Sequence, residues 1–345
     1  MRCLTLADAL RARGGEAHFV CAEIPDGLAD RVRGQGHRLS HIGPIAGQAP
    51  AGDAWDTMVH EQGAQRADAA RTSQAIGEAG TNWIVVDHYQ LDRIWEEAAR
   101  PAAGAIMVID DLANRPHACD LLLDQTLGRR PADYAALVPD RCRILAGAMY
   151  APLRPEFAAM RSAALTRRAE PKPVERLLIT LGGTDVGGVT ERVLCDVLAT
   201  GLGCDIDVVL GTAAPSLPSV QALTVSHTNI RLHVDHRDMA ALMLEADLAI
   251  GAAGTTSWER CCLGLPALTL VLATNQRFIA EQLEAAGAHR VSPTLGGESF
   301  RAALSAIVRD DNARTQMSER AAAVTDGRGA ERVCEAMLGF DGQEA

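Results

Sequence analysis

The chain has 345 residues, enough for two domains, with 48% hydrophobic, 22% charged and only 3% aromatic side chains. Its formal net charge of −11 argues against a nucleic-acid surface, which needs a basic stripe. The nine cysteines are dispersed without C-x-x-C spacing, as expected of reduced cytoplasmic thiols, and neither a membrane-length apolar run nor a signal-peptide core is present.

In chain order, residues 1–14 read as an amphipathic helix with Leu4, Leu6, Ala7 and Leu10 on one side, ended by Gly14-Gly15. Residues 17–22 read as a strand, and Pro25-Asp26 opens a helix that ends near Gly34 to Gly36. The Gly- and Pro-rich stretch 40–53 reads as loop, 54–80 as a long polar helix and 83–87 (WIVVD) as a buried strand. Further β signals follow at 105–109, 121–123 and 143–145, then a helix at 153–168. Glu170-Pro-Lys-Pro173 is the best linker, so the expected domains are 1–168 and 169–345.

After the linker the pattern begins again. Residues 176–181 predict a strand, Gly182-Gly183-Thr184-Asp185 a glycine turn, and 189–199 a helix. Strands at 205–210 and 230–234, a helix at 239–245, a strand at 248–250, a strand at 267–272 and a helix at 276–286 follow. Three helical segments close the chain at 299–308, 311–325 and 329–338, the last of which can pack back on the first domain. Strands alternating with helices imply parallel sheets covered on both faces, here two Rossmann-like, doubly wound halves with a ligand cleft between them. The second half opens strand, turn, helix; the first opens directly on a helix. The first domain is therefore expected to lack its first strand, unless it is an unusual half that begins on a helix.

The stretch 246–263 (ADLAIGAAGTTSWERCCL) carries the strongest chemical signal. A short strand breaks into Gly251-Ala-Ala-Gly254 and restarts as a helix at Thr255-Thr256, which offers free N–H groups to a phosphate or diphosphate. Glu259 in the first turn then needs a separate partner, such as a ribose diol. Alternatively Thr256-Ser-Trp-Glu259 is a capping box, with the glutamate returning to the N-cap amide. Asn275 lies just past strand 267–272, where it can face a ligand or cap the next helix. Tyr89 ends strand 83–87 in the same way, and its phenol can serve a ligand or packing. Cys261-Cys262 read as core. His227, His233 and His236 straddle a strand and a loop and do not form a metal-ligand cluster.

Together Met1-Arg-Cys-Leu-Thr-Leu-Ala7, Val86-Asp-His-Tyr89, Ile109-Asp-Asp111, His117-Ala-Cys-Asp-Leu-Leu-Leu123, Leu181-Gly-Gly-Thr-Asp185, Asp235-His236, Gly251 to Glu259 and Asn275-Gln276 resemble the UDP-2,4-diacetamido-2,4,6-trideoxy-β-L-altropyranose hydrolase family of pseudaminic acid biosynthesis. That family has the GT-B architecture and is similar to the glycosyltransferase that adds N-acetylglucosamine to lipid-linked peptidoglycan precursors. The resemblance implies that Ala253, Gly254, Thr255 and Thr256 hold a UDP diphosphate and that Glu259 pairs with the ribose. It places Met239 against uracil, Gly182, Gly183, Thr184 and Asp185 along the cleft, and Tyr89 and Asn275 at the sugar or the attacking water.

The implied reaction is attack of water at the anomeric carbon with inversion, giving UDP and the free sugar, with no cofactor and no metal. The substrate would be the one partner, with no nucleic acid, no membrane and an open oligomeric state. One departure bears on this. The family's general base is a histidine in a G-x-G-H-x-x-R loop, and Met1-Arg2 aligns with the end of that pattern, so the histidine position falls before residue 1. Either the recorded start lies downstream of the native one, or the chain as given lacks both strand and base. Two other activities therefore stand beside hydrolysis: an inverting UDP-sugar-dependent glycosyltransferase, and a UDP-sugar-binding protein without catalysis.

Overall fold

A computed structural model describes residues 1–44 and 61–340, so the part of the expected loop and polar helix at 45–60 lies outside the described residues. The chain forms two compact units, Met1–Pro152 with Arg328–Ala345, and Leu153–Gly327.

Unit 1 begins α1 (Arg2–Arg11), β1 (His18–Cys21), α2 (Asp26–Gly34), β2 (Arg38–His41), α3 (Gln62–Ile76), β3 (Thr81–Val86), α4 (Arg93–Ala99), β4 (Ala103–Ile109), β5 (Leu121–Asp124) and β6 (Arg143–Ala146). Strand β2 corrects the loop expected from residue 40. Its sequence, RLSH, has no apolar run to announce it, and it is a strand because it pairs in parallel with β1 over His18↔Arg38 to Cys21↔His41.

Unit 2 comprises α5 (Pro155–Arg167), β7 (Arg176–Thr180), α6 (Val189–Ala199), β8 (Asp205–Leu210), α7 (Leu217–Ser226), β9 (Ile230–Val234), α8 (Met239–Glu245), β10 (Leu248–Ala252), α9 (Thr256–Cys262), β11 (Ala267–Leu270), α10 (Arg277–Ala285), β12 (Arg290–Val291), α11 (Glu298–Arg309) and α12 (Asp311–Ala322). Helix α7 and strand β12 carry no signal that the sequence reading used. The last helix, α13 (Gly329–Leu338), belongs to unit 1, where it packs on α1. The expected boundary at 168/169 falls instead at 152/153. Helix α5 packs on α8 and α9, and Arg168 at its end donates to the carbonyls of Ala246 (2.7 Å) and Leu263 (3.1 Å), which ties the helix to the second unit.

The unit 2 sheet is wholly parallel, in the order β12-β11-β10-β7-β8-β9. Helices cover both faces, so Leu177, Leu178, Ile179 and Leu248, Ala249, Ile250 are all buried rather than alternating. Val193, Leu194 and Val197 of α6 and Phe300 and Leu304 of α11 close over the same core. Each large side chain so buried is worth about 1.5–3 kcal/mol. The chain runs outward through β8 and β9, then returns to the other side of β7 as β10. That reversal is the topological switch point at which open α/β sheets bind ligands, outside the carboxyl ends of the strands.

Unit 1 follows the same alternating scheme from its first helix onward. The order β7–α6–β8–α7–β9–α8–β10–α9–β11 is matched by α1–β1–α2–β2–α3–β3–α4–β4. Strands β1 and β2 form their own two-stranded sheet and β3-β4-β5-β6 another, with no counterpart of β7 among the described residues.

Candidate functional site

Two glycine turns leave the switch point of unit 2 side by side, because Ile179 and Thr180 of β7 are in register with Ile250 and Gly251 of β10. After β7, Gly182 (φ 106°), Gly183 and Thr184 are exposed. Asp185 (φ 43°) turns inward and is buried. Its Oδ1 accepts from the Thr190 amide (3.0 Å) and hydroxyl (2.7 Å), and its Oδ2 from the Ser216 hydroxyl. That carboxylate anchors α6 and α7 beneath the loop, which leaves Gly182, Gly183 and Thr184 as the exposed part of the turn.

After β10, Ala253 is buried and its amide donates to the Leu270 carbonyl (3.0 Å), while Gly254, Thr255 and Thr256 reach the surface. Helix α9 starts after Thr255 without a side-chain cap. The capping box read as an alternative for Glu259 does not form, since the Thr256 hydroxyl accepts from Arg260 Nη1 (3.3 Å) instead. The Glu259 carboxylate is 17% exposed, and its ion-pair partner among the described residues is Arg154 Nη2 at 3.7 Å. Burial pushes its pKa up to about 7, against the pull of Arg154 and Arg260. It is therefore a recessed acceptor with spare hydrogen-bonding capacity.

Behind the turn lies Arg260, fully buried. Its Nη2 donates to the Ala252 carbonyl (2.8 Å) and the Ser257 hydroxyl (2.9 Å), and no carboxylate among the described residues comes within salt-bridge distance. Burial lowers its pKa to about 10.

The other expected residues of unit 2 follow neighbouring strands. Met239, half-buried, is the first residue of α8 after β9, and Asp238 caps that helix by accepting from the Ala241 amide (3.1 Å). Asn275 follows β11 in a short 3-10 turn, and no side chain caps α10. Its Oδ1 is buried without a hydrogen-bond partner, so it does not serve as the helix cap considered above. The switch point thus brings the two glycine turns and Glu259 to neighbouring strand ends, with Met239 and Asn275 at the ends of β9 and β11 on either side.

Tyr89 belongs to unit 1. Its hydroxyl donates to Asp111 Oδ2 at 3.2 Å. Burial and the nearby Asp111 carboxylate push the phenol's pKa up, so it stays protonated. Arg2, in the first turn of α1, bridges two carboxylates: Nε and Nη2 donate to Asp87 (3.0 and 2.7 Å), and Nη1 to Asp111 (2.9 Å). Burial would raise the Asp87 carboxyl, but Arg2 outweighs it and holds the group below the usual range. The cluster forms because Asp87 and Asp110-Asp111 follow adjacent strands whose ends, Val86 and Val108, are paired. Asp110 faces inward, paired with Arg115 (2.8 Å) and near the Tyr134 hydroxyl (3.1 Å), so only Asp111 is left for Tyr89.

Arg154 and Arg260 were not singled out from sequence, and Arg2 and Asp111 only as parts of motifs. The double aspartate after a buried strand was the one usable signal among them. Within the described residues no cluster of His, Cys, Asp and Glu could hold a metal ion, and no helix is long and apolar enough to cross a membrane.

No family model matches the chain. Over 212 residues it is 26% identical to the UDP-2,4-diacetamido-2,4,6-trideoxy-beta-L-altropyranose hydrolase of Campylobacter jejuni, covering 61% of this chain and 74% of that protein. The motif resemblance is borne out. A second relative, the spore coat polysaccharide biosynthesis protein SpsG of Bacillus subtilis, is 27% identical over 201 residues, 57% of this chain and 58% of that protein. Among solved structures, Acinetobacter baumannii MurG superposes with a TM-score of 0.67 at 14% identity, covering 98% of this chain and 95% of that one. The fold is of the GT-B type, built from two Rossmann-like units.

Proposed function

We propose that this chain binds a UDP-linked 2,4-diacetamido-2,4,6-trideoxy sugar and hydrolyses it to UDP and the free sugar. The Campylobacter relative bears the name of that activity. The observation that carries the reading is the Glu259 carboxylate: recessed, unused by its own helix, and beside a glycine turn at the switch point whose end, Gly254 to Thr256, reaches the surface. A carboxylate so placed can accept both hydroxyls of a ribose.

In this reading Gly254, Thr255 and Thr256 offer main-chain N–H groups to the diphosphate, and the segment with Met239 meets the uracil. The same amides stabilise charge that grows on the departing diphosphate. The Tyr89 hydroxyl, its proton directed at Asp111, accepts through its oxygen from a sugar hydroxyl, and Asn275 offers its unpaired carbonyl oxygen to the sugar or to the attacking water. Displacement by water also needs a base to take a proton. The reading gives that role to no described side chain.

Two measurements test it. Calorimetric titration with UDP should show binding that Glu259→Ala weakens by about 1–3 kcal/mol. Incubation with the UDP-sugar should release UDP without any acceptor. Release only with an added acceptor would indicate a transferase instead, and a wild-type protein with no affinity for UDP would end both readings.

A further inference from the structure

Arg154 sits immediately before α5, yet its side chain reaches two distant parts of unit 2. Nη1 donates to the main-chain carbonyl of Arg237 at 2.9 Å, and Nη2 lies 3.7 Å from Glu259 Oε1. The guanidinium is held in place from its own helix, by Glu156 at 2.8 Å from Nη1 and by the buried Phe157 ring, whose centroid is 5.1 Å from Cζ. Its side chain is 22% exposed. A guanidinium with planar, divergent donors can serve two acceptors at once, which an ammonium on a flexible stem does less well.

We propose that Arg154 is a positioning residue for nucleotide recognition, joining the ribose-binding carboxylate of Glu259 to the segment 237–239 in one fixed geometry. This rests on the reading of Glu259 as the ribose partner. Among the described residues no main-chain group donates to the Glu259 carboxylate to orient it, and α9 begins without a side-chain cap. Segment 237–239 is anchored at its far end by the Asp238 cap of α8, and Arg154 supplies the bond at its near end. Removing the guanidinium leaves both glutamate and segment in place but without a common frame. The contribution of the ribose hydroxyls to affinity is then lost, while the diphosphate contacts remain.

The readout is the ratio of affinities for UDP and 2′-deoxy-UDP, which a general loss of folding would not change selectively. The wild-type protein should prefer UDP about tenfold or more, as expected of hydrogen bonds to a charged acceptor. Arg154→Met should bring the ratio below about threefold, with weaker UDP binding and 2′-deoxy-UDP binding nearly unchanged. Arg154→Lys keeps the charge but not the two-armed reach, so its ratio should also fall, by about threefold or more. A folded Met or Lys variant that keeps the wild-type ratio overturns the proposal while leaving the function reading intact. A wild-type ratio near one, with Glu259→Gln equally indifferent, overturns the ribose role of Glu259 and the proposal with it.

Discussion

The guanidinium of Arg260 fills the space that a β-carbon on residue 251 would need, so that Nη1 and a side chain at Gly251 cannot coexist. Arg260 is fully buried and tied to the Ala252 carbonyl and the Ser257 hydroxyl, and has nowhere to move. Gly251→Ala should therefore cost about 1–3 kcal/mol of stability, the usual penalty of overpacking, measured by urea denaturation. A cost below about 0.5 kcal/mol would mean that the arginine can retract.

Affinity for UDP should depend on pH through Glu259, whose pKa in the free protein is pushed up to about 7. Ribose hydroxyls donate to the ionised carboxylate, so binding should tighten as pH rises from 6 to 8 and be accompanied by proton release at the lower end. Glu259→Gln should flatten the profile. The same group affects folding with the opposite sense. Its folded-state pKa is raised, so its contribution is most favourable below the unfolded carboxyl value and declines as pH rises towards 7. Thermal midpoints of wild type and Glu259→Gln should accordingly diverge over that window.

Asn275→Ala separates ligand contact from architecture. The Oδ1 atom is buried without a partner, so its removal relieves an unsatisfied acceptor and should leave the thermal midpoint unchanged or slightly raised. Turnover of the UDP-sugar should nonetheless fall by about tenfold, the worth of one hydrogen bond. Loss of stability comparable to a missing helix cap would contradict this assignment.

Tyr89→Phe removes a donor whose carboxylate partner, Asp111, keeps its bond to Arg2. UDP affinity and stability should stay near wild type, while turnover drops about tenfold or more. Steady-state kinetics beside UDP titration makes the distinction.

Asp185→Ala should act in the reverse way. Three bonds hold α6 and α7 through that one buried carboxylate, so stability should fall by about 1–3 kcal/mol as measured by thermal unfolding. UDP affinity extrapolated to the fully folded protein should change little.

The parts of this protein legible in its sequence are those written by local rules. Apolar runs such as 176–180 and 248–250 followed by Gly182-Gly183 and Gly251 to Gly254 announce strand, turn and helix without help from the rest of the chain. Strand β2 was invisible because RLSH becomes a strand only against β1. Asp185 reads as the end of a glycine turn along the cleft, and only the fold shows it spent on Thr190 and Ser216. Arg154 was out of reach for the same reason. Its contacts lie 83 positions away at Arg237 and further still at Glu259, and nothing in the residues around Pro155 points to either.

The late position of α13 has a consequence for synthesis. Leu6, Met107, Leu121 and Leu123 share a cluster with Val333, Cys334 and Met337, so the first unit is sealed by residues translated after the whole of unit 2. At ribosomal speeds of about 5–20 residues per second the whole of unit 2 emerges while that seam stands open. A nascent chain arrested before Arg328 should bind a hydrophobic dye or a holdase through unit 1, and lose that binding once α13 is supplied.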